Sequence, residues 1–273
     1  GDNILVSWNQ HDGTLTVDIR NDERFDFLDT LFNLVNTPFD ELGPFSLNYY
    51  ASGYDDWTNF VVYANNTSGK FQPKLAYVVT NWYNYQYHYD YYGPIEINII
   101  DSDSDNYYIS FYGTDFYMID WQMQMNVNNI EEMYFCSDRN GSHDIFKLEI
   151  PGDIDLIGFL TQDTVLTPTK IEILSTEAED KCPFVNGNLL VFASDRPGGY
   201  GGYDLYYSIN KNGLWSEPEN FGNKINTEYD EYRPIAFSIN GFKNNLMIFS
   251  SNRPGGLGGF DLHYVCIPAM ITD

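Results

Sequence analysis

The sequence predicts an all-β fold and, within that class, a five-bladed β-propeller with antiparallel blades of three to four strands. Three observations predict it. The composition favours strands and turns, a hairpin recurs at near-constant spacing, and a second motif keeps phase with the hairpins.

Composition comes first. The chain has 273 residues, with 23 Tyr, 19 Phe and 22 Gly. Aromatic residues suit pleated, half-buried surfaces, and Gly suits tight turns. The length fits one large domain, 1–273. Hydrophobic residues make up 43% and charged residues 19%, so the chain can bury a core and does not read as disordered. No run of apolar residues is long enough for a transmembrane helix. The formal net charge is −25, which repels phosphate backbones, and no basic stripe offsets it; nucleic acid is not an expected partner.

The hairpin repeat is the second observation. Phe192-Ala-Ser-Asp-Arg-Pro-Gly-Gly199 recurs as Phe249-Ser-Ser-Asn-Arg-Pro-Gly-Gly256, and Phe135-Cys-Ser-Asp-Arg-Asn-Gly141 is a third copy. Each is followed by a second short apolar stretch opened by an acid: Asp144-Ile-Phe, Asp204-Leu-Tyr and Asp261-Leu-His. Upstream, Asn59-Phe-Val-Val-Tyr and Asn3-Ile-Leu-Val-Ser carry the pattern more weakly. The hairpins start near 3, 59, 131, 188 and 245, spaced 56, 72, 57 and 57 residues apart. One blade per hairpin gives five.

The third observation is a lead-in motif, Thr-x-x-acid-acid-x-x-Pro, at Thr37–Pro44, Thr176–Pro183 and Thr227–Pro234. Proline is tolerated where a strand begins, so each copy marks the start of an inner strand. In a propeller both the lead-in loop and the Gly-rich loop of a blade emerge on one face. That brings Asp40, Glu41, Glu179, Asp180, Asp230 and Glu231 near Arg139, Arg196 and Arg253. The expected role of these pairs is to lock neighbouring blades together, since the guanidinium fork matches a carboxylate. Where the Arg is replaced, as by Thr67, Asp40 and Glu41 are left less neutralised, and a binding site would open there. Asp18, Asp144, Asp204 and Asp261 share one repeat position and are expected to accept N–H groups from the turn before them.

The Ser-Asp-Arg-Pro-Gly-Gly-x-Gly-Gly-x-Asp-Leu-Tyr hairpin, with Thr-x-x-Asp-Glu-x-x-Pro before it, resembles the TolB-type (WD-like) propeller repeat, most closely over residues 131–266. The resemblance implies a periplasmic or outer-membrane-associated protein, and a lipoprotein leader removed ahead of Gly1 would fit it. It names no ligand.

The longest spacing, 72 residues, holds an insertion of about 15 residues, and this least repeat-like stretch contains the Tyr-rich run Trp82–Tyr92. Alternation predicts Tyr83, Tyr85, Tyr87, Tyr89 and Tyr91 on one side of a strand. With Trp82 and Trp121 they form a candidate recognition surface for an envelope protein or a glycan. Asp101, Asp103 and Asp105 resemble the start of a calcium loop but lack its Gly and closing Glu, so no metal is expected. Cys136, Cys182 and Cys266 are too dispersed for a disulfide framework and read as small buried hydrophobes. No cofactor motif occurs, the Gly-rich loops lack the Gly-Lys-Ser/Thr of a phosphate loop, and no Gly-x-Ser-x-Gly elbow is present.

The function expected from these features is a non-catalytic binding or scaffolding module of the cell envelope. The alternative is a glycoside hydrolase-like propeller. That chemistry needs two carboxylates about 5–9.5 Å apart. Acids that recur in every blade are poor candidates for such a pair, so no enzymatic activity is expected.

Overall fold

The computed structural model describes residues 3–9, 14–20, 26–50, 57–100, 103–113, 130–238 and 243–268. Antiparallel sheets arranged as a β-propeller make up the fold. An N-terminal hairpin, β1 (Asn3–Asn9) and β2 (Thr14–Arg20), pairs only with itself, and helix α1 (Asp26–Val35) follows it. The first blade contains β3 (Glu41–Tyr50), β4 (Trp57–Asn65), β5 (Gln72–Tyr83) and β6 (Gln86–Glu96) in that order. The second contains β7 (Asn106–Tyr112), β8 (Glu132–Ser137), β9 (Asp144–Glu149) and β10 (Thr169–Lys170), with the short helix α2 (Leu156–Leu160) in its last connection. In the third, β11 (Asp180–Asn186), β12 (Leu189–Ser194) and β13 (Asp204–Lys211) are flanked by β14 (Leu214–Trp215) and β15 (Glu219–Asn220). The fourth has β16 (Glu231–Ser238), β17 (Asn244–Ser251) and β18 (Asp261–Pro268).

The described residues therefore form four blades, not the five expected from counting hairpins. The repeat located the second strands well, since β4, β8, β12 and β17 begin within two residues of the predicted 59, 131, 188 and 245. The miscount came from the hairpin near residue 3, which forms a two-stranded sheet of its own among the described residues. α1 supplies the physical reason. Strand residues of the first blade alternate between two faces. Phe60, Val62 and Leu75 face the common core, while Val61, Tyr63, Ala76 and Val78 are sealed by Leu31 and Val35 of α1. The helix thus occupies the face on which a further blade would stack.

The main core runs through all four blades and contains Phe45, Phe60, Phe111, Phe135, Phe184, Val191, Met247 and Phe249. A second cluster joins the second and third blades, where the Trp215 indole N–H donates to the Tyr134 hydroxyl at 2.9 Å. The sheet of the fourth blade turns its other face outward, with Leu262 80% and Tyr264 71% exposed.

Each inner strand carries the same irregularity. Its pairing slips between Leu42 and Phe45, Tyr107 and Ser110, Lys181 and Phe184, and Tyr232 and Ile235. The residue two beyond the first strand position is left-handed in every case: Gly43 (φ 58°), Tyr108 (φ 56°), Cys182 (φ 56°) and Arg233 (φ 53°). A bulge adds one unpaired residue and bends the strand. Three of the four kinks use a residue with a Cβ, which costs about 1–3 kcal/mol each.

Candidate functional site

The lead-in motif resolves into two kinds of fastening. The second acid is buried and serves its own blade. Asp180 accepts from the Thr176 N–H (2.7 Å) and hydroxyl (2.9 Å) and pairs with Arg196 at 2.5 Å. Glu231 accepts from Thr227 in the same way and pairs with Arg253 at 2.9 Å. In the second blade Asn106 replaces the acid, and its side-chain oxygen accepts from Arg139 at 2.8 Å. The Arg–acid pairs thus lock the third and fourth blades internally, correcting the expectation that they join neighbours. Sequence reasoning placed both loops on one face but could not say which acid of the doublet Arg would choose.

The first acid makes the connection between blades. The Asp230 carboxylate accepts from the Tyr203 N–H (2.9 Å) of the third blade, and Asp105 accepts from the Phe71 N–H (2.7 Å) of the first. Between the second and third blades the link runs through side chains. Glu179 bonds His143 Nδ1 at 2.6 Å and Lys181 at 2.8 Å, while the Tyr107 hydroxyl bonds His143 Nε2 at 2.6 Å. Burial by itself would raise the Glu179 carboxyl, but the bonds from Lys181 and His143 outweigh it and hold the group below its ordinary range.

Asp105, Asp138 and His143 form a cluster with metal-ligating side chains. Its charge is met internally: Lys70 lies 3.2 Å from Asp138 and 3.6 Å from Asp105, and both His143 nitrogens are engaged. Asp105 therefore serves the scaffold, Asp103 lies in the adjacent turn, and Asp101 lies outside the described residues.

Of the four repeat-position aspartates, Asp204 accepts from the Tyr200 and Gly201 N–H groups, and Asp261 from those of Leu257 and Gly258. Asp144 departs from this pattern. Its turn is three residues shorter, and its buried carboxylate pairs with Lys170 at 2.9 Å instead. Burial raises the Asp144 carboxyl, only partly offset by that lysine. The side chain of Asp18 is outside the described residues.

The Tyr-rich run forms the outer hairpin β5–β6, with its turn at Asn84 (φ 52°) and Tyr85 (φ 60°). That turn corrects the predicted single-sided row. Tyr83 lies on β5 and stacks on His88, Tyr85 is at the tip and 94% exposed, and Tyr87, Tyr89 and Tyr91 share a face with Trp82. Trp82 and Tyr87 are 4.6 Å apart with both rings exposed, whereas Tyr91 packs toward α1. Trp121 lies outside the described residues. The cysteines also need one correction: Cys136 and Cys182 are buried, but Cys266 is exposed. Burial pushes the Cys182 thiol up to about 12.

The four kinks converge on the hub. A pocket of about 270 Å³ is lined by Gly43, Pro44, Tyr108, Cys182, Pro183, Arg233 and Pro234, with Glu41 at its edge. A larger cavity of about 560 Å³ lies beside it, walled by Tyr203, Tyr232 and Phe260 and carrying Lys181, Asp230 and Arg233. Arg233 belongs to both. Of the acids expected to mark a site, Glu41 reaches the hub and accepts from the Thr37 N–H at 3.2 Å, whereas Asp40 is exposed and pairs with Asn66 at 3.0 Å. Sequence reasoning missed Arg233, Lys181 and the aromatic walls, because they occupy the unspecified positions of the repeat.

No family model and no curated protein matches the chain. The solved structures that resemble it include an endo-arabinase from Bacteroides thetaiotaomicron (TM-score 0.48, 14% identity, covering 82% of this chain and 73% of that one). An α-L-arabinofuranosidase from Lactobacillus brevis is similar at TM-score 0.44 and 10% identity, over 84% of this chain and 72% of that one. The catalytic domain of an α-L-arabinofuranosidase from Coprinopsis cinerea is similar at TM-score 0.38 and 13% identity, over 90% and 66%. These neighbours are enzymes of glycan cleavage. The expected non-catalytic envelope module, a chain that is not an enzyme, has no counterpart among these similar structures. Among the described residues, no helix is long and apolar enough to cross a membrane.

Proposed function

We propose that the chain is a glycoside hydrolase-like propeller acting on polysaccharide, and that the hub pocket and the adjoining cleft are where the glycan sits. One observation carries this reading: the cleft of about 560 Å³ is walled by the rings of Tyr203, Tyr232 and Phe260 and meets the hub pocket at Arg233. Aromatic walls with a few convergent polar groups are what a sugar ring needs, a flat apolar face on one side and hydrogen-bond partners on its rim. Two carboxylates line the cavities, Glu41 at the hub and Asp230 in the cleft, and they are the candidates for acid–base work on a glycosidic bond. The exposed Trp82–Tyr87 pair on the outer hairpin offers a further stacking platform for an extended chain.

The experiment is a reducing-end assay on arabinan, xylan, galactan and polygalacturonate, run with the wild type, Glu41→Gln and Asp230→Asn. Glu41→Gln keeps the one oxygen that accepts from Thr37, whereas Asp230→Asn keeps one of the two oxygens that accept from Tyr203 and Asn252. Release of reducing ends that falls at least about 100-fold in one variant with an unchanged melting temperature is the expected result. Failure of all four polysaccharides to be either cleaved or bound would remove the reading.

A further inference from the structure

Resting on that glycan reading, we propose that the cleft selects a sugar bearing a carboxylate, with Arg233 as the residue that reads the acid. Arg233 is exposed and lines both cavities, so its guanidinium stands at the junction a bound chain must pass. It is also the odd one out among the arginines whose side chains are described. Arg139, Arg196 and Arg253 are each held by a side-chain oxygen of the inner strand of their own blade. Arg233 has no hydrogen bond or ion pair from its side chain among the described residues. Among the described residues this arginine has no acid on its side chain, although Glu41 and Asp230 line the cavities it shares.

Its surroundings leave the donor edge open. The Tyr108 and Tyr232 rings lie 5.7 and 5.6 Å from the guanidinium carbon, so the plane is supported by π faces that accept no fork of hydrogen bonds. The acid nearest in the cleft does not compete. Asp230 Oδ1 already accepts from the Tyr203 N–H at 2.9 Å, and its Oδ2 accepts from Asn252 at 2.8 Å. A planar, permanently charged fork with free N–H groups fits a carboxylate bidentately.

The backbone gives independent support. Arg233 occupies the left-handed kink (φ 53°) for which the first blade uses Gly43. The scaffold needs only the kink, which glycine adopts without strain. Tyr108 and Cys182 bear the same local cost at their kinks, and Arg233 is the charged one among these three hub-lining side chains. Lys181, whose ammonium lies over the Tyr203 ring at 5.5 Å, places a second cation in the cleft, already paired with Glu179. It adds field without competing for the ligand's acid.

The test compares one backbone with and without its charge. Binding of oligogalacturonate, its fully methyl-esterified form, a neutral arabino-oligosaccharide and a short poly-aspartate peptide is measured by calorimetry. The proteins are the wild type, Arg233→Gln and Arg233→Gly. Arg233→Gly restores the residue type of the first blade, so it keeps the kink while removing the whole side chain, and Arg233→Gln removes the charge while keeping part of the stem. The expected result is that oligogalacturonate binds about 10- to 100-fold more tightly than its ester, and that both variants abolish this preference while neither melts below the wild type. Equal binding of acid and ester, or an undiminished preference in Arg233→Gly, overturns the carboxylate reading and leaves the glycan reading standing. Tight binding of poly-aspartate at equal charge overturns it in favour of an acidic peptide. Failure of every saccharide to bind, with no reducing ends released, removes the glycan reading itself and this inference with it.

Discussion

Arg196→Ala tests whether the blades are held internally by buried charge. The guanidinium donates to Asp180 at 2.5 Å, to the Leu174 carbonyl at 2.8 Å and to the Ser194 hydroxyl at 3.0 Å, and lies over the Phe192 and Tyr206 rings. Asp180 is 0% exposed. Truncating Arg196 leaves that carboxylate with only the two Thr176 donors, and breaking a buried pair from one side costs about 3–5 kcal/mol. For a chain of this size that lowers the melting temperature by about 10 °C. Arg139→Ala is the internal control, because its partner Asn106 is equally buried but uncharged and loses only about 1–3 kcal/mol. Urea unfolding followed by circular dichroism measures both, and Asp180→Asn completes a double-mutant cycle with Arg196→Ala. If Arg196→Ala and Arg139→Ala agree within about 0.5 kcal/mol, or the cycle shows no coupling, the buried-charge account fails.

Four further outcomes follow from the same geometry. Gly201→Ala places a Cβ 2.2 Å from the Tyr229 carbonyl oxygen, where the third blade's turn lies against the fourth blade's lead-in loop; it destabilises by about 1–3 kcal/mol in a thermal melt, whereas Gly213→Ser, in open space, loses only what its φ of 82° costs. Under native conditions at pH 8 a thiol reagent modifies Cys266 alone, because Cys136 and Cys182 are buried and their thiols pushed up; denaturant releases the other two, and mass spectrometry counts the adducts. The Glu179 carboxyl is held below its unfolded value of 4.5, so the stability it contributes is present above that pH and disappears as pH falls through the folded value; Glu179→Gln flattens this acid-side loss, read from melting temperatures between pH 5 and 3. Trp82→Ala with Tyr87→Ala weakens retention on polysaccharide in affinity electrophoresis without lowering the melting temperature, since both rings are about half exposed or more; a large stability loss would show them to be packing.

The repeating parts of this fold were legible because each is a backbone requirement. The Ser-Asp-Arg turn and the Thr-led acid doublet recur wherever a blade must be tied, so they located four second strands and three of the inner strands. α1 went unread although Leu28, Leu31, Phe32 and Val35 have helical spacing, because attention to a 57-residue period hides a ten-residue interruption. That helix decides the blade count. The hub was harder for a different reason. Arg233 stands at an x in Thr-x-x-acid-acid-x-x-Pro, and a repeat motif is silent where its copies disagree. The shortened turn before Asp144, three residues less than its counterparts, was visible in the alignment of copies, and it marks where the first acid, Glu179, bonds a neighbouring side chain, His143, in place of a backbone N–H.

The kinked position of the inner strands has a consequence for how such a wheel diversifies. Four symmetry-related bends aim Gly43, Tyr108, Cys182 and Arg233 at one small volume, so the frame acts as a socket with four interchangeable contacts. A single codon change at any of them would alter the chemistry at the axle, hydrogen bonding, thiol, ring or charge, while the tying bonds two residues upstream stay untouched.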